Sequence, residues 1–154
     1  MITKSHFSLL FTVLTFMCIS AKAQSEEEAV KNTINQLFEG MHKRDTSLIR
    51  SVFSSDAIMQ TVVRNKEGKV QIHNMAVDTF ILFVGEPSDY TVDEKISFST
   101  VLIDGDLAMA WTPYRLYVND QFQHCGVNSF QLVRLDGKWK IQFIIDTRRR
   151  TNCN

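Results

Sequence analysis

The residues best suited to acid–base chemistry are a histidine and an aspartate in the C-terminal third of the chain. His124 carries an imidazole, which titrates at about pH 6.5 when unperturbed and so suits proton transfer. Asp146 is its natural partner, since a carboxylate can fix the imidazole tautomer. The two are therefore candidate catalytic residues. The alternative is a histidine that is merely hydrogen-bonded at a sheet edge.

A second group of residues is suited to holding a small molecule, since ligand pockets combine apolar walls with a few convergent polar groups. Trp111 offers a ring on which a flat ligand could stack, although a tryptophan can equally serve as core. Asn128 could hydrogen-bond a ring edge, and Arg115 could clamp an anion or lie solvated at a strand end. The predicted ligand-binding residues are Trp111, Asn128, Phe98, Phe130, Phe143, Arg115, His73 and Tyr117.

Metal and cofactor sites are not expected. No closely spaced Cys and His pattern of the structural zinc type occurs. His73, His124 and Asp146 could form a three-ligand site only if a helix and the sheet brought them together, so the sequence predicts none.

Residues 1–23 have the organisation of a secretory signal peptide. Lys4 precedes an apolar run from Phe7 to Ile19, and Ala21-Lys22-Ala23 matches a cleavage signature. The run is too short for a stable membrane anchor. We expect cleavage after Ala23, a secreted or periplasmic protein, and one domain over residues 24–154. An N-terminal core helix is the alternative.

The composition of the chain limits the classes of molecule that it is expected to bind. The chain has 17 Lys and Arg against 17 Asp and Glu, and no basic stripe, which argues against nucleic acid. No second apolar stretch reaches membrane-spanning length, so no membrane partner is expected after cleavage. Cys125 and Cys153 remain in the mature chain, and export would permit a disulfide between them. The sequence does not show whether the two cysteines come close enough to bond, so two separate thiols are the alternative.

Helices are predicted in the first part of the mature chain. Helical spacing of apolar residues predicts one helix starting at Ser25 and a second starting at Asp45. A third is predicted over His73–Val84, closed by Gly85. Between them, Ala57–Val63 alternates like a strand.

The rest of the chain, from Tyr90 onward, is predicted to form strands joined by two-residue hairpin turns. Helices followed by a long antiparallel meander predict the α+β class, with a curved antiparallel sheet packed on the N-terminal helices. The predicted strands are Tyr90–Ile103, Leu107–Val118, Gln121–Leu135 and Lys138–Thr147, and the turns are Asp104-Gly105, Asn119-Asp120 and Asp136-Gly137.

Counting outward from these turns predicts which side chains share a face. Trp111, Phe143 and Asn128 then lie on the apolar face toward the helices. His124 shares that face and Asp146 does not, so their pairing needs a β-bulge. The count places Phe98 and Phe130 on the apolar face as well, and Thr112 and Tyr114 on the opposite one.

Several stretches carry a family resemblance: Gly105-Asp106-Leu107-Ala108, Trp111-Thr112-Pro113-Tyr114, His124-Cys125-Gly126-Val127, Gly137-Lys138-Trp139-Lys140-Ile141 and Asp146-Thr147-Arg148-Arg149. Together with the element order, they resemble the nuclear transport factor 2-like superfamily with its cystatin-like cone, in its SnoaL-like or "putative lumazine-binding" branch. The resemblance implies a cone-shaped α+β domain and a homodimer that pairs through the outer sheet face. It also implies a His/Asp pair as in the superfamily's polyketide cyclases and dehydratases.

Three functions remain in contention. The first is an exported homodimer that binds a small, largely apolar or aromatic molecule in the cone. The second is a cyclase, dehydratase or isomerase that uses His124 and Asp146. The third is a non-catalytic assembly subunit. The ketosteroid isomerase arrangement is disfavoured, because no aspartate is predicted at the middle of the apolar face.

Overall fold

The computed structural model of the chain describes residues 25–153, which form three helices and seven strands. The predicted signal peptide lies outside the described residues. Helix α1 covers residues 25–43, α2 Thr46–Val52 and α3 Val77–Gly85. The strands are β1 Phe53–Arg64, β2 Val70–Met75, β3 Val92–Ile96, β4 Thr100–Asp104, β5 Leu107–Val118, β6 Gln121–Leu135 and β7 Lys138–Arg149.

The strands form one sheet in the order β2-β1-β7-β6-β5-β3, and β4 also pairs with β5. Neighbouring strands are antiparallel except β1 and β7, which are parallel. The predicted α+β class is confirmed, with the helices packed on one face of a curved, mostly antiparallel sheet. We call the helix-covered face the inner face and the opposite one the outer face.

The core lies at one end of the inner face, near the β4–β5 and β6–β7 turns, and we call this the packed end. Apolar side chains of α1 and α2 meet those of β5, β6 and β7 there, because each element turns an apolar side to the other. Phe38 of α1 sets its ring edge-on to Phe130, with centroids 6.3 Å apart. The buried set includes Val30, Ile34, Leu37, Ile49, Phe130, Leu132, Trp139 and Ile141.

Two of the three predicted hairpin turns are correct. Asn119-Asp120 and Asp136-Gly137 have positive φ at both central residues, as a type I′ turn requires. The third turn lies one residue later than predicted, because Asp104 pairs with Leu107 and the two loop residues are Gly105 and Asp106. Gly105 has φ +59°, the left-handed conformation that glycine adopts at no steric cost.

Two β-bulges change the register that counting from the turns predicts. In β6, Gln123 is an extra residue, because Leu116 pairs with His124 while Tyr117 pairs with Phe122. In β7, Gln142 is extra between the positions that pair with β6 residues 131 and 132. A bulge places two residues against one, so every side chain beyond it changes face relative to a flat register.

The placements of Trp111 and Phe143 on the inner face were therefore wrong. Trp111 pairs with Ser129, and Phe143 pairs with Gln131, which puts both on the outer face. Trp111 is 45% exposed.

The same bulges bring other side chains inward. Thr112 and Tyr114, predicted on the outer face, are buried on the inner one. Asp146 pairs with Asn128 and lies on the same face as His124. The sequence predicted that a β-bulge is needed for this, and the bulge in β7 supplies it. Residues at the end of the sheet that carries His124 and Asp146 form what we call the polar end.

Two element predictions also need correction. His73 lies in β2 opposite Thr61 and not in a helix, because pairing with β1 continues as far as Met75, and α3 begins only at Val77. Tyr90–Ile103 is not one strand, since residues 97–99 separate β3 from β4. These three residues face only Thr112 and Pro113, and proline has no N–H with which to continue the ladder.

Candidate functional site

Five polar side chains converge on the inner face at the polar end. Alternation along β3 and pairing of Ile96 with Tyr114 turn Glu94 inward, and pairing of Asn128 with Asp146 places these two side by side. The set, which we call the polar cluster, is Glu94, Tyr114, Asn128, Asp146 and Arg148.

Glu94 is held by a hydrogen bond from a buried amide. Asn128 is 4% exposed, and its Nδ2 donates to Glu94 Oε1 at 2.9 Å. Burial raises the pKa of Glu94 to about 7, opposed by the bond from Asn128 and assisted by the nearby charge of Asp146. Near neutral pH this carboxyl group therefore exists in both forms and can accept or release a proton.

Asp146 accepts hydrogen bonds from two side chains, one on β5 and one on its own strand, β7. The Tyr114 hydroxyl lies 3.2 Å from Asp146 Oδ2 and 3.0 Å from the carbonyl oxygen of Thr147. Arg148 Nε donates to Asp146 Oδ2 at 3.0 Å. Burial, followed by the charges of Asp146 and Glu94, raises the pKa of Tyr114, so its hydroxyl stays protonated and remains a donor.

The position of Tyr114 depends on Gly126, its partner across the β5–β6 ladder. A Cβ at Gly126 would lie 1.8 Å from the carbonyl oxygen of Thr147 and 2.6 Å from Tyr114 Cε1. Only a residue without a side chain therefore allows the tyrosine ring to cross β6 and reach Asp146.

Two cavities of about 390 and 320 Å³ adjoin the polar cluster. Both volumes fall in the range of small-molecule sites. The larger extends toward His124 and the segment 88–92, and the smaller toward Met59 and Asn128. Their shared lining combines apolar walls from α1 and α3 with charged groups from the sheet: Met41, Phe80, Phe83, Glu94, Asp146 and Arg148.

His124 lines the larger cavity, but it does not form the predicted dyad by direct contact. Within residues 25–153, no hydrogen bond joins His124 to Asp146. Tyr114 contacts both, since its ring meets the His124 ring edge-on with centroids 5.7 Å apart, and its hydroxyl reaches the carboxylate. Burial, followed by the charge of Arg148, lowers the pKa of His124, which favours the neutral imidazole.

The other predicted inner residues divide between site and core. Asn128 belongs to the polar cluster. Phe130 is fully buried in the core beneath it, and Phe98 is partly buried against the same core. Neither phenylalanine lines the two cavities.

Three further residues were predicted in the pocket and lie elsewhere. Arg115 turns to the outer face and donates to the carbonyl oxygen of Cys153. Tyr117 lies on the outer face under Lys95, whose Nζ is 4.9 Å from the ring centroid. His73 is exposed on β2 and lines neither cavity.

Glu94, Tyr114 and Arg148 escaped the sequence prediction. Glu94 could have been found from the pattern Val92-x-Glu94-x-Ile96, because alternation places an acid between two apolar residues on one face. Arg148 follows Asp146 by two positions and must share its face.

A disulfide adjoins the site. Cys125, next to His124 in β6, is joined to Cys153, with the Cα atoms 5.8 Å apart. Among the described residues, no group of three or more His, Cys, Asp or Glu side chains could hold a metal ion. The helices in this part of the chain are too short or too polar to cross a membrane.

Residues 25–142 match the model of a protein family described as "putative lumazine-binding". Among curated protein sequences, none matches the chain significantly.

Solved structures with the same fold have low sequence identity. A nuclear transport factor 2-like protein of unknown function from Shewanella baltica is 19% identical, with a TM-score of 0.62 over 82% of this chain and 96% of that one. A conserved protein from Planctomyces limnophilus is 14% identical, with a TM-score of 0.67 over 82% and 98%. A protein described as a putative dehydratase from Streptomyces avermitilis is 11% identical, with a TM-score of 0.61 over 82% and 98%.

Proposed function

Because the chain belongs to the "putative lumazine-binding" family of nuclear transport factor 2-like proteins, we propose that it binds a small, flat, largely aromatic molecule at the polar cluster. The observation that carries this proposal is the meeting of charged groups with apolar walls in cavities of about 390 and 320 Å³. A flat ring system can lie against the apolar walls while its polar edge meets the carboxylates.

The walls suit a flat ligand because α3 contributes two aromatic rings. Phe80 and Phe83 line both cavities, and Met41 of α1 adds a polarisable thioether. The opposite side, built from the sheet, supplies the charged and hydrogen-bonding groups. Affinity would then come mainly from the helices, and orientation from the sheet.

The sharpest test is native mass spectrometry of the exported protein with two tryptophan variants of α3. Phe80→Trp places a larger side chain in a wall shared by both cavities and so reduces the space for a ligand. Leu82→Trp makes a similar change at a position that is 71% exposed on the same helix. We expect wild type and Leu82→Trp to carry one small molecule per subunit and Phe80→Trp to carry none. An empty wild-type protein that also binds no aromatic or pteridine-like compound would reject the proposal.

Export and dimer formation are part of the same proposal. Export is supported by the signal-like residues 1–23 and by the Cys125–Cys153 disulfide, which an oxidising compartment maintains. A homodimer through the outer face is supported by exposed apolar residues there, among them Leu102 and Trp111. N-terminal sequencing of the mature protein tests cleavage after Ala23, and light scattering tests the dimer.

A second function is favoured by the position of Glu94, which lines both cavities and whose pKa burial raises to about 7. A carboxyl group poised at neutral pH can remove a proton from a bound molecule and return it, as in an isomerase or a dehydratase. Arg148, whose guanidinium lines both cavities, can stabilise the developing negative charge.

Deuterium incorporation tests this activity. The bound molecule is released, incubated with the protein in D₂O and weighed by mass spectrometry. Wild type should introduce deuterium at carbon, and Glu94→Gln should not. A ligand recovered with no deuterium at carbon would leave binding as the function.

A further inference from the structure

Glu94 and Asp146 each retain one carboxylate oxygen without a hydrogen-bond partner among the described residues. Asn128 donates to Glu94 Oε1, and both Tyr114 and Arg148 donate to Asp146 Oδ2. Nothing in the described chain donates to Glu94 Oε2 or Asp146 Oδ1. In that part of the chain, no buried side-chain oxygen lacks a partner, so these two atoms are accessible from the cavities that both residues line.

The two atoms left free by these hydrogen bonds, Glu94 Oε2 and Asp146 Oδ1, are therefore acceptors. An ionised carboxylate accepts hydrogen bonds and donates none, and each of its oxygens has two lone pairs. The donors nearest to them, Asn128 Nδ2, the Tyr114 hydroxyl and Arg148 Nε, are already directed at the other oxygen of each carboxylate. A ligand that fills the site must supply N–H or O–H groups where its edge meets Glu94 and Asp146.

Resting on the proposed function, we infer that Glu94 and Asp146 select a flat heteroaromatic ligand that carries an amino group beside a ring N–H. The alternative they reject is a ring of the same shape whose edge carries carbonyl oxygens in place of the amino group. Two adjacent N–H donors can bind one carboxylate through both of its oxygens. A carbonyl oxygen in that place would meet a carboxylate oxygen, so two acceptors would be left unpaired.

The charges around Glu94 make the selection depend on pH. The groups that face it across the cavities are Asp146 and Arg148 from β7, Tyr114 from β5, His124 from β6, His42 and Arg44 from the end of α1, and Asp89 from the segment before β3. Its pKa near 7 supports a carboxylate above neutral pH and a carboxylic acid below it. The acid form donates a hydrogen bond, so the preference for an amino edge should weaken as the pH falls.

The test compares two isosteric pteridines, one with an amino group and a ring N–H on its edge (2-amino-4-oxopteridine) and one with two carbonyl oxygens (2,4-dioxopteridine, lumazine). Dissociation constants are measured by calorimetry on the wild-type protein. We expect the amino compound to bind about tenfold or more tightly at about pH 8, with a smaller ratio at about pH 6. Glu94→Gln should abolish the preference, while Glu67→Gln, in an exposed turn, should keep it.

The outcomes separate the inference from the function on which it rests. Equal affinities, or tighter binding of the dioxo compound at the higher pH, overturn the inference and leave a small-molecule site. If neither compound binds, the proposed function fails and the inference fails with it. Should Glu94→Gln not fold, as judged by circular dichroism, the pH dependence of the wild-type ratio decides, and a constant ratio overturns the inference.

Discussion

Strands β5, β6 and β7 contribute to both ends of the inner sheet face, and the two ends differ in the side chains that point inward. At the packed end, β6 and β7 present Phe130, Leu132 and Ile141, all fully buried. At the polar end, the same two strands present Asn128 and Asp146, which hydrogen-bond to neighbours and line cavities. One end therefore stabilises the fold, and the other holds groups that burial alone would disfavour.

The boundary between the two ends in β7 is the bulge at Gln142. Its side chain accepts from Ser54 Oγ at 2.8 Å and donates to the carbonyl oxygen of Asp56 at 3.2 Å, so β1 holds the extra residue in place. Without that residue, Asp146 would point to the outer face. A polar cluster can thus be attached to an apolar sheet by one inserted residue.

The largest effect is expected at the packed end. Phe130→Ala should reduce the free energy of unfolding by about 4 kcal/mol, because it removes a fully buried ring and leaves a cavity. Urea unfolding measures the loss. Leu135→Ala, at a position 47% exposed on the same strand, is the matched control and should change stability by less than about 1 kcal/mol. Equal losses in the two variants would contradict the division into two ends.

A smaller loss is expected where the polar end depends on close backbone approach. Gly126→Ala places a Cβ against Thr147 and the ring of Tyr114, so we expect a loss of about 2–3 kcal/mol. The same variant should displace Tyr114 from Asp146, visible as a shifted tyrosine hydroxyl resonance in NMR spectra. Gly68→Ala is a control for the substitution itself, since nothing lies near a Cβ there, although its positive φ adds a backbone cost. A Gly126→Ala protein with the wild-type tyrosine environment would show that the close approach is not needed.

Removing a charge from the polar end should stabilise the protein. The pKa of Glu94 rises from 4.5 to about 7 on folding, so the folded state binds the proton more tightly. The contribution of Glu94 to the free energy of unfolding is therefore fully present below about pH 4.5, and it declines as the pH rises through about 7. Glu94→Gln removes this decline and should gain on the order of 2 kcal/mol at about pH 8 and little at about pH 5. Parallel stability curves for the two proteins would mean that Glu94 is not desolvated.

The smallest effect is expected on the outer face. Trp111→Ala should reduce the stability of the monomer by about 1 kcal/mol, because the ring is 45% exposed and packs little. Its main effect should be on assembly, measured by light scattering as a shift from dimer to monomer. A loss as large as that of Phe130→Ala would place Trp111 in the core after all.

Most of the architecture was predictable from the sequence, because apolar periodicity and turn residues are local signals. The turns at Asn119-Asp120 and Asp136-Gly137 and the burial of Phe130 follow from them directly. The site was harder, because its composition depends on bulges at Gln123 and Gln142, where one residue changes the face of all that follow. The bulge at Gln142 is held by hydrogen bonds to Ser54 and Asp56 of β1, and no short window of sequence contains both these residues and Gln142.

The Cys125–Cys153 bond has a consequence for the alignment of β6 and β7. Cys125 pairs with Arg149, four residues before Cys153, so the bond ties the end of β7 to β6 in the alignment described above. A slip of one residue along the strand would move the partners apart by about 3.3 Å. Once formed, the bond therefore opposes a slip of β7 along β6 that would remove the bulge at Gln142. The bond preserves strand alignment, and with it the inward direction of every side chain between the bulge and the tail.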